Sequence, residues 1–236
     1  MKRIIADVHT HTIASGHAFG TIREMALAAS ERKLDILGIT EHAPGIPGTV
    51  NPIYYTCLNL VPRVLSGVYL IHGCEINIMN DGSLSLDDCY IEKLDYAIAG
   101  IHLHCYQDAG REKNTNNVIS CMKHPKVRFI SHPDDDNTPL DYHLLVQAAH
   151  DTNTALEVNN SSLFRKEHRL NCYENYITML NLCQKMDTPV IISSDAHDPS
   201  WVGRFDLSEA LLDSLSFPEH LILNLDSKKL LDFLLC

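Results

Sequence analysis

The stretch Ile4-Ile5-Ala6-Asp7-Val8-His9-Thr10-His11 opens a pattern that repeats along this chain: a short apolar run ending in residues able to bind a metal. Six more runs of the same kind follow, at Ile36–Thr40, Val68–Ile71, Tyr96–Ala99, Val127–Ile130, Thr154–Val158 and Val190–Ser193. They are almost continuously apolar, as parallel strands covered on both faces tend to be. Between them lie stretches with helical periodicity: Thr21–Arg32, Asn114–Lys123, Leu140–His150, Tyr173–Met186, Ser208–Leu215 and Ser227–Leu235. The asparagine-rich lead into Asn114 predicts a helix cap there. Repeated strand–helix units predict a parallel α/β sheet, open or closed into a barrel.

In a barrel the active site gathers at the C-terminal ends of the strands. Metal-type residues do fall there: His9 and His11 after the first strand, His42 after the second, and Glu75 reached through Gly73-Cys74 after the third. His102, His132, Asp195 and His197 follow later strands, and His17 lies in the first loop. Residues at i and i+2 on a strand share a face, so His9 can act with His11 and Asp195 with His197. Any one of these residues alone reads as an ordinary loop or core side chain. Nine of them beside six strand ends point to a nitrogen–oxygen ligand set suited to zinc, manganese or iron. The other seven histidines (72, 104, 124, 143, 150, 168 and 220) read as ordinary, except that His104 can face the pocket.

The 236 residues suit one single-core domain over 1–236. No apolar run approaches the ~20 residues of a membrane span. The early Asp7 argues against a secretory signal, so the expected location is cytoplasmic. Eight cysteines without a C-x-x-C pair read as free thiols. A net charge of −11 disfavours long nucleic acid as a partner. It leaves room for a small phosphorylated substrate, because bound metal reverses the local sign. Homo-oligomerisation stays open.

The segments Asp7-Val8-His9-Thr10-His11-Thr12, Ile39-Thr40-Glu41-His42, Gly73-Cys74-Glu75, Ala99-Gly100-Ile101-His102, Ile130-Ser131-His132-Pro133 and Ser194-Asp195-Ala196-His197 resemble the PHP (polymerase and histidinol phosphatase) family. Ile13–Ala18 and Glu157–Ser162 look like its small stand-alone bacterial phosphatases. The resemblance implies a distorted seven-stranded (β/α)7 TIM-like barrel with a trinuclear metal centre, zinc first, with manganese or iron as alternatives. It implies one metal on His9, His11, Glu75 and Asp195, a second on Glu75, His102 and His132, and a third on His17, His42 and His197. All nine positions are filled here. The implied activity is hydrolysis of phosphate monoesters by attack of a metal-bound hydroxide. Three divalent ions against Glu75 and Asp195 would leave the pocket at about +4.

Glu41 stands where many relatives have Asp and is expected to support the ligands from behind. The run Asp134-Asp135-Asp136 is expected to form a solvated loop. Arg165, Arg169 and Arg204, following late strands, are the cations placed to reach a substrate, each with a surface position as its ordinary reading. The readings that compete are a PHP-type phosphodiesterase or nuclease acting on short oligonucleotides or nucleotides, an amidohydrolase, and a PHP module without activity.

Overall fold

The computed structural model describes residues 2–235, so Met1 and the expected thiol of Cys236 lie outside the described residues. Eight strands are formed among the described residues: β1 (Ala6–Asp7), β2 (Ile36–His42), β3 (Val64–Leu65), β4 (Val68–Asn77), β5 (Ala97–Gly100), β6 (Val127–Ile130), β7 (Ala155–Asn159) and β8 (Val190–Ser193). Seven pair in parallel in the order β1-β2-β4-β5-β6-β7-β8, and β3 adds as a short antiparallel ribbon on β4. Helices alternate with the strands, as a TIM-like barrel requires.

The barrel is nearly closed, and its seam lies between β1 and β8. Above it, a single parallel bridge joins Thr10 to Ala196, with His11 N donating to Ala196 O at 2.8 Å. Below it, the fully buried Asn224 side chain takes the place of a strand. Its Nδ2 donates to Ala6 O (3.0 Å) and Ile192 O (2.9 Å), and its Oδ1 accepts from Ile192 N (2.8 Å). One amide group thereby satisfies the backbone on both sides of the gap, which would otherwise leave buried polar groups unpaired.

Two apolar layers surround the strands. The larger lies between strands and helices; the smaller fills the barrel itself with Ala6, Val8, Ile36, Ile71, Ile98, Phe129, Ala155 and Ile191. The helix Ser227–Leu234, capped by the Asp226 side chain accepting from Lys229 N at 2.8 Å, adds Leu230, Phe233 and Leu234 to that inner layer. Each large side chain buried there contributes about 1.5–3 kcal/mol. Tyr96 tops the layer, its hydroxyl donating to Val8 O at 2.7 Å. A Cβ on Gly38 would lie 2.1 Å from that hydroxyl, so only glycine fits.

Two expectations need correction. The third predicted strand does not stop at Ile71: β4 runs to Asn77, with Glu75 paired in register with Ile98 and its carboxylate facing the site. Asn114 does not cap its helix, which starts at Arg111; Asn114 and Asn117 are buried inside it and tie it to Asp108, Tyr106 and neighbouring backbone. Among the described residues the seven cysteines are free, and no helix is long and apolar enough to cross a membrane.

Candidate metal centre

All nine predicted residues converge at one end of the barrel. His9 and His11 follow β1, His42 ends β2, and Glu75 lies near the end of β4. His102, His132 and Asp195 each stand two residues beyond β5, β6 and β8, and His197 two further on. His17 comes in from the first loop, with its Nε2 3.1 Å from His197 Nε2. Three groups can each hold an ion: His9 with His11 and Asp195, His42 with Glu75 and His102, and His11 with His42 and His197. His132 Nε2 lies 2.9 Å from Glu75 Oε1, with His102 Nε2 at 3.2 Å from the same oxygen. His42 thus stands between the second and third of the sets the resemblance implies, its Nδ1 2.9 Å from Glu75 Oε2 but not aligned for a hydrogen bond.

The partners behind the rings decide which nitrogen faces inward. His9 Nδ1 faces Glu157 Oε1 at 2.7 Å. Ser15 gives its proton to Glu41 Oε2 (2.5 Å), so its oxygen accepts from His11 Nδ1 at 3.0 Å. The Asp195 carbonyl can only accept, so His197 Nδ1 carries a proton toward it at 3.0 Å. Each ring therefore turns Nε2 into the centre, where the Nε2 atoms of His9 and His11 face each other at 3.0 Å. Lone pairs converging at that distance, beside the orphaned Glu75 Oε2, fit a cation between them.

The buried charges act strongly on one another across the centre. Burial opposes charge on His9, but Glu157, Glu75 and Asp195 outweigh it and hold its pKa well above the ordinary value. Burial and the neighbouring His42 and His197 push His11 well below. Burial disfavours ionised Glu75 and Asp195, yet the surrounding histidines hold both well below the usual carboxylate range. His102 is pushed down to about 4 by burial. Two of the nine residues, His132 (φ 32°) and Asp195 (φ 51°), occupy the left-handed region that non-glycine residues avoid, the kind of strain found at functional sites. A Cβ on Gly100 would lie 2.1 Å from Ser131 Oγ, so glycine leaves room for the Ser131 hydroxyl to donate to Glu75 Oε1 at 2.7 Å.

Glu157 was not among the predicted site residues. Fully buried on β7, it reaches His9, the main-chain N–H of His132 (2.7 Å), Asn159 Nδ2 (3.0 Å) and the Ser193 hydroxyl. Its signal in the sequence is an acid in the middle of an apolar strand. Glu41 lies behind His11, accepting from Thr12 and from the Ser15 hydroxyl that faces His11 Nδ1. The acidic run is not a solvated loop: Asp134 is fully buried and pairs with Arg169. Of the three arginines, Arg169 is engaged in that pair, Arg204 stacks on Trp201 at 4.2 Å, and Arg165 is exposed at the lip of a cleft. That cleft, about 340 Å³, adjoins His102, His132 and Asp195, and His104 and His168 also line it.

The PHP domain profile matches residues 7–151, and the chain belongs to this family. A protein of Clostridium novyi (strain NT) named "probable phosphatase" is 38% identical over 98% of this chain and 95% of its own length. One of the same name from Syntrophotalea carbinolica is 36% identical over 97% and 95%. Among solved structures, the histidinol phosphate phosphatase of Lactococcus lactis, complexed with zinc, L-histidinol and phosphate, superposes with a TM-score of 0.62 at 15% identity, covering 91% of this chain and 95% of that one. A chain of archaeal ribonuclease P with mature tRNA gives 0.59 at 17% identity, covering 96% and 87%. At these identities the two structures establish a shared fold.

Proposed function

We propose that this protein is a metal-dependent phosphatase, one PHP domain over residues 1–236, that hydrolyses small phosphate monoesters at a centre of three divalent ions held by His9, His11, His17, His42, Glu75, His102, His132, Asp195 and His197. Zinc is the first candidate, with manganese or iron as alternatives. The observation that carries this reading is the convergence of nine nitrogen and oxygen donors, several with their protonated nitrogen turned away, at the catalytic rim of the barrel. The "probable phosphatase" name of near full-length relatives supports it.

Bound divalent ions would supply Lewis acidity and an activated water. The chain's own residues do the rest. Glu157, Ser15 and the Asp195 carbonyl hold His9, His11 and His197 in fixed orientation, so the site needs little reorganisation. The cleft beside His102 and His132 is where the organic part of the substrate would sit. Arg165 at its lip would attract the phosphate, and His104 or a metal-bound water would give a proton to the departing oxygen.

The test is phosphate release from a sugar phosphate and a mononucleotide, compared with cleavage of a dinucleotide. The reading expects the monoesters to be faster. Preference for the dinucleotide would move the assignment to a PHP-type phosphodiesterase or nuclease.

A further inference from the structure

Asp134, from the acidic run after His132, meets Arg169, from the basic stretch after Phe164. Arg169 Nε donates to Asp134 Oδ1 at 2.8 Å, and Arg169 Nη2 donates to the His132 carbonyl at 2.9 Å. Asp134 N donates to that same carbonyl at 2.8 Å. Asp134 is fixed in turn by the Cys172 thiol, which donates to Oδ2 at 3.1 Å, and by Asn175 Nδ2, which donates to the Asp134 carbonyl at 2.9 Å. From inside the barrel, Glu157 Oε2 accepts the His132 N–H at 2.7 Å. Both main-chain polar atoms of His132 are therefore held by charged side chains. The residue they hold stands at φ 32°, a left-handed conformation that strains a non-glycine residue.

We propose that Arg169 and Asp134 are positioning residues, a largely buried ion pair that keeps the His132 main chain in its left-handed turn so that Nε2 stays beside Glu75 Oε1. Without the pair, His132 relaxes toward negative φ and its ring swings away from Glu75 and His102. The guanidinium suits the task because its fork reaches a carboxylate and a carbonyl at once, which a lysine ammonium does not reproduce. A buried ion pair is a poor source of net stability, so its presence here is better accounted for by the geometry it imposes. The inference rests on His132 being a metal ligand.

The experiment is metal titration of the whole chain after chelation, with Zn²⁺ by calorimetry and Co²⁺ by visible absorption, for wild type, Arg169→Lys and Asp134→Asn. Both variants are expected to lose about 10- to 100-fold in affinity for one ion and to change the Co²⁺ band. Excess metal should restore phosphoester turnover, with KM within about twofold of wild type. Unchanged metal affinity with a raised KM would mean that Arg169 touches substrate, and overturns the proposal. Unchanged affinity and unchanged KM overturn it as well. Should Asp134→Asn not fold, Arg169→Lys carries the test, because it leaves no uncompensated carboxylate. His132→Ala in the same titration separates the two layers: if it binds metal like wild type, the ligand reading fails; if it loses an ion while Arg169→Lys does not, only the positioning role fails.

Discussion

The two halves of the barrel interior are built on the same strands and have opposite chemistry. At the lower end Ile36, Ile71, Ile98, Phe129, Ala155 and Ile191 meet the C-terminal helix in an apolar plug. A few residues further on, near or just past the ends of the same strands, stand His42, Glu75, His102, Ser131, Glu157 and Asp195. A period of two keeps each strand's side chains on one face, so the change from apolar to ligand chemistry is a change of height in the barrel. The lower half supplies stability and rigidity, and the upper half can then hold converging lone pairs and strained backbone. The contrast extends to histidine. His72 is buried toward the lower end with neither ring nitrogen hydrogen-bonded, and burial pushes its pKa down to about 4. Of the upper histidines, His9, His11, His42 and His132 are buried too, but each faces another ring or a carboxylate.

The largest expected effect comes from breaking the upper half at its centre. Glu75→Gln removes the charge that five histidines approach within 3.5 Å. Turnover of a phosphate monoester should fall on the order of 1000-fold, with loss of bound metal measured by elemental analysis. Glu157→Gln keeps the shape but weakens the hold on His9 and His132. Metal affinity should drop about 10- to 100-fold, read by competition with a chromogenic chelator.

In the lower half, Asn224→Leu leaves the seam's backbone groups unpaired. It should cost about 3 kcal/mol, seen as a melting temperature lower by roughly 6–12 °C. The smallest effect at neutral pH is that of His72, which stays neutral in the fold. The unfolded chain binds its proton below the ordinary value of 6.5, while the folded chain resists until about 4. The unfolded state therefore binds more protons in that window, and stability falls as pH drops from 6.5 to 4. His72→Leu should remove up to about 3 kcal/mol of that decline in denaturant titrations, and leave stability above pH 7 little changed.

Much of this was legible in the sequence because it depends on local order. Continuous apolar runs such as Val127–Ile130 and Val190–Ser193 match their strands end to end. His9 with His11, and Asp195 with His197, show their pairing by spacing alone. What was not legible depends on contacts between distant segments. Glu157 meets His9 across 148 positions, and Asp134 meets Arg169 across 35. Glu157 at least stands in an apolar strand, but no local pattern distinguishes Asp134 from a solvated acid, so its run reads as a solvated loop. Asn224 is similar: an amide in a short 3₁₀ turn, whose role appears only when Ala6 and Ile192 lie on either side of it.

The most direct test of the whole account is phosphate release from a simple aryl phosphate by chelator-stripped protein as Zn²⁺ or Mn²⁺ is added back. The account predicts no release from the stripped chain and a rise that levels off near three equivalents, one for each ligand group. Full activity in the stripped protein, or none at any metal loading, would contradict it.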